Sequence, residues 1–140
     1  MLKRTFKYTD YNGKEREEEY RFNLSKAELL EMELSASGGM EAMLRQLVKT
    51  EDNKQIMAIF KEIILKSVGE VSPDGRRFIK NQEIRESFEQ SEAFSELFVE
   101  LATDADAAAN FLKGIVPAEL AANMKEAEAE ADTPALTPVN

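Results

Sequence analysis

Apolar and polar residues alternate with two different periods along this chain, and the change of period separates an N-terminal hairpin from a series of helices. Near both ends of residues 3–22, aromatic residues occupy every second position, as in strands with one buried face. Between them lies Asn12-Gly13, the strongest short-range signal for a hairpin turn. We therefore expect a β-hairpin over residues 3–22 whose aromatic face packs on the helices, since a lone hairpin is marginal in water. The alternating aromatic residues are Phe6, Tyr8, Tyr20 and Phe22.

The remainder of the predicted folded region has apolar residues at spacings of three and four, the period of amphipathic helices. Ser25 and Glu28 have the spacing of a capping box and predict the start of the first helix. Later helices are expected to begin at Asn81, at Ser91 and within Thr103-Asp104-Ala105-Asp106. The third apolar stripe is the strongest, so we expect the third helix at the centre of the core. The predicted inward-facing residues, helix by helix, are Leu29, Leu30 and Leu34; Met40, Met43, Leu44, Leu47 and Val48; Ile56, Ile59, Phe60, Ile63 and Ile64; Ile84 and Phe88; Phe94, Leu97, Phe98 and Leu101; and Phe111 and Leu112.

An irregular segment separates the third helix from the fourth. We expect the third helix to end near Val68-Gly69. The segment Ser72-Pro73-Asp74-Gly75 then has the pattern of a type I turn. Residues 76–80 are expected to form a short extended or loop-like segment. Gly114 is expected to follow the last helix as its C-terminal glycine.

The composition changes after Pro117. Residues 117–140 contain five acidic residues and one lysine, with few large apolar side chains and two further prolines near the end. Such a segment cannot bury enough apolar surface to order itself, so we expect a flexible acidic tail. The predicted organisation is one domain over residues 1–116 and a tail over 117–140. The predicted fold class is α+β, predominantly α, with the hairpin packed on a small bundle of about five or six helices.

Charge and residue content narrow the classes of function. The net charge is −9, so the surface repels nucleic-acid phosphates and anionic membranes and favours solubility. The chain has no Cys and no His, which excludes Cys/His zinc sites, cysteine nucleophiles and histidine-based triads. No apolar leader or membrane span is visible. We expect no cofactor, no bound metal and no enzymatic activity, but binding to other proteins.

A run of acidic residues on the return strand has a structural interpretation. Adjacent residues of a strand point to opposite faces, so Glu17, Glu18 and Glu19 do not converge on one metal or acid–base site. A solvated strand edge that resists aggregation is the better interpretation. Asp10 and its neighbours have the wrong spacing for a calcium loop, and a hairpin turn accounts for them.

Two groups of side chains are candidates for binding a partner. Methionines near the first three helices suit an adaptable apolar surface, although filling of the core is the alternative. A compact basic group, which also includes Lys80, suits an acidic partner, although ordinary loop charge balanced by Glu70 and Asp74 is the alternative. The candidate partner-binding residues are Met40, Met43, Met57, Phe60, Arg76 and Arg77.

Three segments together carry a family resemblance: KRTFKYTDYNGKEREEEYRFNLSKAELLEMEL, IFKEIILKSVGEVSPDGRRFIKNQEI and LFVELATDADAAANFLKGIVP. The chain resembles the small tail assembly chaperones of long-tailed phages and prophages of Gram-positive bacteria over residues 3–117. The resemblance contains no catalytic signature. It implies a mostly helical protein that coats the tape measure protein in the host cytoplasm, helps recruit tail tube subunits and is absent from the virion. In many phages a translational frameshift near the end of such a gene adds a C-terminal domain to a minority of copies, and the sequence leaves open whether this protein has such a form.

Other functions remain open at this stage. A structural virion protein of the head–tail connector or tail completion type is the main alternative. An acidic DNA mimic would need carboxylates spaced like phosphates, and the Glu runs are too scattered for that. The sequence leaves the oligomeric state open, with a homo-oligomer as one alternative.

Overall fold

In the computed structural model, residues 1–32 and 53–118 are described. Their elements in chain order are β1 (Leu2–Thr9), β2 (Glu15–Phe22), α1 (Lys26–Glu31), α2 (Asn53–Ser67), β3 (Val68–Val71), β4 (Phe78–Ile79), α3 (Gln82–Glu89), α4 (Glu92–Thr103) and α5 (Ala105–Ile115). Within these two ranges there are four strands and five helices, which confirms the α+β class. The predicted helix around Met40 and Met43 and most of the predicted tail lie outside the described residues.

The predicted hairpin is confirmed, with β1 paired to β2 from Leu2↔Phe22 to Thr9↔Glu15. At the turn, the Gly13 N–H donates to the Asp10 carbonyl at 2.9 Å, and Gly13 has a φ of 81°. A type I turn followed by a left-handed residue is a common hairpin closure, and glycine adopts that φ without steric cost. The Asp10 carboxylate also accepts the N–H groups of Asn12 and Lys14, each at 2.9 Å.

The inner face of the hairpin joins the hydrophobic core. Phe6 and Phe22 are buried, and Tyr8 and Tyr20 pack against the same cluster, as predicted. The Phe22 ring lies edge-on to two helical rings, 5.5 Å from Phe88 of α3 and 5.4 Å from Phe111 of α5. Edge-to-face geometry at these distances adds to the stabilisation from burial.

An ion pair also connects the hairpin to the helices. Arg4 lies on the inner face of β1, where its guanidinium donates to both carboxylate oxygens of Glu100 in α4, at 2.8 and 3.3 Å. The guanidinium also lies 5.3 Å from the centre of the Phe6 ring. This bidentate arrangement fixes the direction in which α4 crosses β1.

The helix starts occur where the sequence predicts them. Ser25 and Glu28 form both hydrogen bonds of the capping box. Asn81, Ser91 and Asp104 each accept backbone N–H groups at the start of α3, α4 and α5. Short polar side chains satisfy N–H groups that the first helical turn leaves without partners, so these starts are set locally.

Three predictions about individual residues in helices were wrong. Leu30 is 66% exposed, because Leu29 occupies the buried side of the short helix α1. Ile59 is 37% exposed, since it lies beside the inward stripe of α2 that contains Phe60 and Ile63. Gly114 lies inside α5 and not after it, where its Cα packs against Leu2 of β1.

The strands β3 and β4 were only partly anticipated. The helix α2 ends at Ser67, and the next residue already pairs with β2, through Phe22↔Val68 and Arg21↔Gly69. The predicted turn at residues 72–75 is confirmed, with the Gly75 N–H donating to the Ser72 carbonyl at 2.8 Å. It joins β3 to β4, which completes an antiparallel sheet of order β1-β2-β3-β4. VGEV is too short to give a readable period, so pairing with β2 decides its conformation.

Replacing Phe22 by alanine is expected to lower the free energy of unfolding by about 3–5 kcal/mol, because it leaves a cavity between two helices and the hairpin. Val99→Ala provides the control, since Val99 is 56% exposed and its truncation removes little buried surface. Urea titration followed by circular dichroism measures both variants. Equal losses would show that the sheet and helices do not share this core.

Asp10 is expected to make stability depend on pH in the acid range. Its hydrogen bonds from the Arg16 side chain and from backbone N–H groups lower its pKa from 3.8 to about 2. The stabilisation is therefore complete above the ordinary pKa and is lost as the pH falls through the lowered one. The stability difference between the wild-type protein and Asp10→Asn should be constant above pH ~4 and shrink toward pH ~2. A stability difference that stays constant down to that pH would contradict the lowered pKa of Asp10.

Candidate functional site

Of the four apolar candidates, the described residues include only Met57 and Phe60, both on α2. Phe60 is 3% exposed and packs in the core, so it is not part of an open surface. Met57 lies about one turn earlier on α2 and is half-buried. Met40 and Met43 are outside the described residues. Burial of Phe60 follows from its place in the α2 stripe, which points into the sheet–helix interior.

The basic candidates lie on the turn between β3 and β4. Arg76 and Arg77 are exposed, and neither forms an ion pair with a described residue. The Asp74 carboxylate accepts from the Ser72 hydroxyl at 2.6 Å and from the Arg76 N–H at 3.0 Å. The bond from Ser72 makes the largest contribution to lowering the pKa of Asp74, and the bond from the Arg76 backbone contributes next. The turn thus holds two adjacent guanidinium groups on an ordered backbone.

Lys80 does not belong to this basic group, contrary to the prediction. Its ammonium donates to the Asn23 carbonyl at 2.6 Å and to the Glu28 carboxylate at 2.7 Å. Burial alone would raise the pKa of Glu28, but hydrogen bonds from Lys80 and the Ser25 backbone outweigh it, and the pKa is lowered. Lys80 therefore ties β4 to the start of α1.

A polar cluster lies on the inner face of the hairpin, beside its aromatic side chains. The hydroxyls of Tyr8 and Tyr20 both hydrogen-bond to the Glu18 carboxylate. The bond to Glu18, together with burial, raises the pKa of Tyr8. Glu18 is thus satisfied by two phenols and by Arg16, whose guanidinium lies 3.8 Å away. This arrangement explains how a carboxylate is accommodated beside the core.

A groove of about 770 Å³ lies between β2, β3 and α3. It exists because β2 and β3 form only two residue pairs, after which no ladder joins them. Its apolar part includes Ile84 and Phe88 of α3, and its rim carries the carboxylates of Glu19, Glu70 and Glu83. The sequence analysis missed the groove because it did not predict β3.

One wall of this groove depends on a close approach at Gly69. A Cβ atom there would lie 2.7 Å from the Phe78 ring and 2.8 Å from the Ile79 carbonyl oxygen. Such distances are too short for real contacts, so only glycine allows β4 and Phe78 to pack this closely on β3.

The described residues show neither a metal site nor a membrane span. Over residues 1–32 and 53–118, no three acidic side chains lie close enough together to hold a metal ion. In the same ranges, no helix has the length and apolar character needed to cross a bilayer.

The described residues combine an α+β fold, a groove with carboxylates at its rim and an exposed pair of arginines. A protein-family model described as phage tail assembly chaperone matches residues 1–138. The chain therefore belongs to the phage tail assembly chaperone family, which is non-enzymatic and whose members are typically absent from the virion. No curated protein and no solved structure matches the chain.

Gly69→Ala is expected to lower the free energy of unfolding by about 1–3 kcal/mol, because the added methyl group forces β4 away from β3. Most replacements of glycine by alanine at an ordinary φ stabilise a protein through its unfolded state, so the sign of the effect is diagnostic. Ser95→Ala, at an exposed position of α4, provides the control. Urea unfolding measures both, and a stabilised Gly69→Ala protein would contradict the packing described above.

Proposed function

We propose that this protein binds the tape measure protein during assembly of a long-tailed phage, keeps it soluble and helps recruit tail tube subunits. The observation that carries the proposal is the family match over residues 1–138. On this proposal the protein acts in the cytoplasm of a bacterial host and leaves before the tail is complete. A role as a structural virion protein is the alternative that the experiments below distinguish.

The charge of the chain supports this function physically. A tape measure protein is expected to be long, helical and prone to aggregate, and an acidic partner with a net charge of −9 would keep the complex soluble. Residues 1–116 are proposed to form the binding domain, with residues 117–140 as an acidic tail. The proposed function is binding alone and includes no chemical reaction.

The surface that we propose for this partner comprises Met40, Met43 and Met57 together with Arg76 and Arg77. An amphipathic helix would place its apolar face against the methionines, as in helix-in-groove recognition. Phe60 is not part of this surface, but its burial anchors α2 so that the partly exposed Met57 is held in place. The two arginines have no ion pairs within the described part of the chain and would suit acidic positions on the partner.

Co-expression with the tape measure protein of the same phage, followed by size-exclusion chromatography, is the direct test. We expect the two proteins to co-elute and the tape measure protein to precipitate when expressed alone. Mass spectrometry of purified virions should find the tape measure protein but not this chain. Separate elution together with a place in the virion would favour the structural alternative.

The binding surface is tested with Met57→Glu and with the double variant Arg76→Glu/Arg77→Glu. Each is expected to weaken the complex by about tenfold or more, the effect typical of residues central to an interface. Val99→Glu is the matched control, because it places the same charge at an exposed apolar position of another helix. If the control weakens the complex equally, the surface lies elsewhere, although the proposed function would stand.

A further inference from the structure

The strand β2 has one fully paired edge and one that is mostly unpaired. Along each strand of the hairpin, successive residues direct their backbone N–H and C=O groups alternately to the other strand and away from it. The hydrogen bond from the Asp10 N–H to the Lys14 carbonyl shows which residues do which. Even-numbered residues of β2 consequently direct their backbone groups to β1, and odd-numbered residues direct theirs to the opposite edge. The bond from the Asn23 N–H to the Ser67 carbonyl, at 2.8 Å, agrees with this alternation.

On the opposite edge, Arg21 pairs with Gly69 of β3. The backbone N–H and C=O groups of Glu15, Glu17 and Glu19 have no ladder partner among the described residues. At a strand rise of about 3.4 Å per residue, the unpaired stretch from Glu15 to Glu19 extends for roughly 14 Å. An unpaired edge of this kind is a template for another extended chain.

The groove described above is continuous with this edge. Glu19 and Tyr20 of β2 form part of its lining. On the side of α3, the half-buried Ile84 provides apolar surface, and Phe88 belongs to the lining but is itself buried. A strand that pairs with β2 alternates its side chains between two environments. Those on the inner face would enter the groove, and those on the outer face would lie beside the β2 carboxylates.

The acidic residues around the free edge of β2 indicate the charge of a segment that could pair with it. Glu15, Glu17 and Glu19 lie on the outer face and are exposed, and the rim of the groove adds Glu70 and Glu83. Glu70 and Glu83 form no ion pair within residues 1–32 and 53–118. Glu17 lies 3.7 Å from the Lys7 ammonium, and Glu19 lies 3.3 Å from the Arg21 guanidinium. Both pairs are at the surface, where ion pairs are weak, so basic side chains of a partner can compete for these carboxylates. Opposite charges in directly facing positions of two strands are favourable, and like charges are unfavourable.

The same charges disfavour two other occupants. A second copy that used its own β2 edge would bring a row of glutamates against a row of glutamates. Residues 117–140 of the chain contain five acidic residues and only one lysine. Both would place like charges across the new strand pair.

We propose that the free edge of β2, from Glu15 to Glu19, binds an extended segment of a partner protein by strand addition, and that this segment alternates basic and apolar residues. The basic side chains face the glutamates of the outer face, and the apolar side chains enter the groove beside Ile84 and Phe88. This site is distinct from the methionine surface, and the proposal does not depend on binding of the tape measure protein.

The test uses the full chain, labelled with ¹⁵N, and a short fluorescent peptide of alternating lysine and valine. Fluorescence polarisation should give saturable binding. Amide hydrogen exchange at Glu15, Glu17 and Glu19 should slow on binding, because only these N–H groups face the new strand. Exchange at Arg16 and Glu18, which face β1, should not change. Saturable binding without protection at the odd-numbered residues would overturn the proposal.

Two altered peptides test the recognition on the unmodified protein. A peptide of alternating glutamate and valine should not bind, because it reverses the charges. A lysine–valine peptide methylated on every lysine backbone nitrogen should bind weakly, because in an antiparallel pair the residues that face the glutamates are those that donate to β2. Equal binding of either peptide would overturn strand addition to an acidic edge.

Protein variants separate local recognition from general charge. Glu17→Lys/Glu19→Lys should weaken binding of the lysine–valine peptide by about tenfold, since two favourable facing pairs become unfavourable. Glu62→Lys/Glu96→Lys makes the same change of net charge at exposed positions of α2 and α4 and should leave binding nearly unchanged. Equal losses in the two double variants, or protection of the β2 edge by self-association without peptide, would overturn the proposal.

Discussion

The burial of Phe22 between two helices is the contact on which the rest of this structure depends. The ring is fully buried and lies against Phe88 of α3 and Phe111 of α5. A hairpin alone does not bury enough surface to be stable in water, and short helices alone are marginal. Each therefore becomes stable by covering the apolar face of the other, and Phe22 is common to both.

The position of Phe22 at the end of β2 also decides where the sheet grows. Its backbone lies beside Val68, so the chain leaving α2 meets a strand edge and continues as β3. Pairing stops after Arg21↔Gly69, and the remaining part of the edge stays open beside α3. The groove and the unpaired edge of β2 thus both result from the short pairing between β2 and β3, which consists of two residue pairs.

Charged groups in this protein have two separate roles. Bridges such as Arg4–Glu100 and Lys80–Glu28 connect elements that are distant in sequence and are partly shielded from water. By contrast, Arg76 and Arg77 and the outer-face glutamates of β2 are exposed. The first set connects parts of the fold, and the second set lies at the surface, where Glu17 and Glu19 form only solvent-exposed pairs with Lys7 and Arg21.

The sequence by itself determined the features that depend on neighbouring residues. The hairpin, its aromatic face and the four helix caps at Ser25, Asn81, Ser91 and Asp104 are local, because turn geometry and capping involve residues within a few positions. The segments that support the family assignment could be read from the sequence for the same reason, since no tertiary contact is needed to recognise them.

Tertiary structure alone decided which residues of each stripe are buried and which surfaces remain. Phe60 and Ile59 are neighbours on α2, and only packing of this helix against α3 and α4 buries the first and leaves the second exposed. Similarly, four residues from Val68 to Val71 have no period of their own, and the edge of β2 makes them a strand. Contacts between residues far apart in sequence set these outcomes, and a local pattern does not contain them.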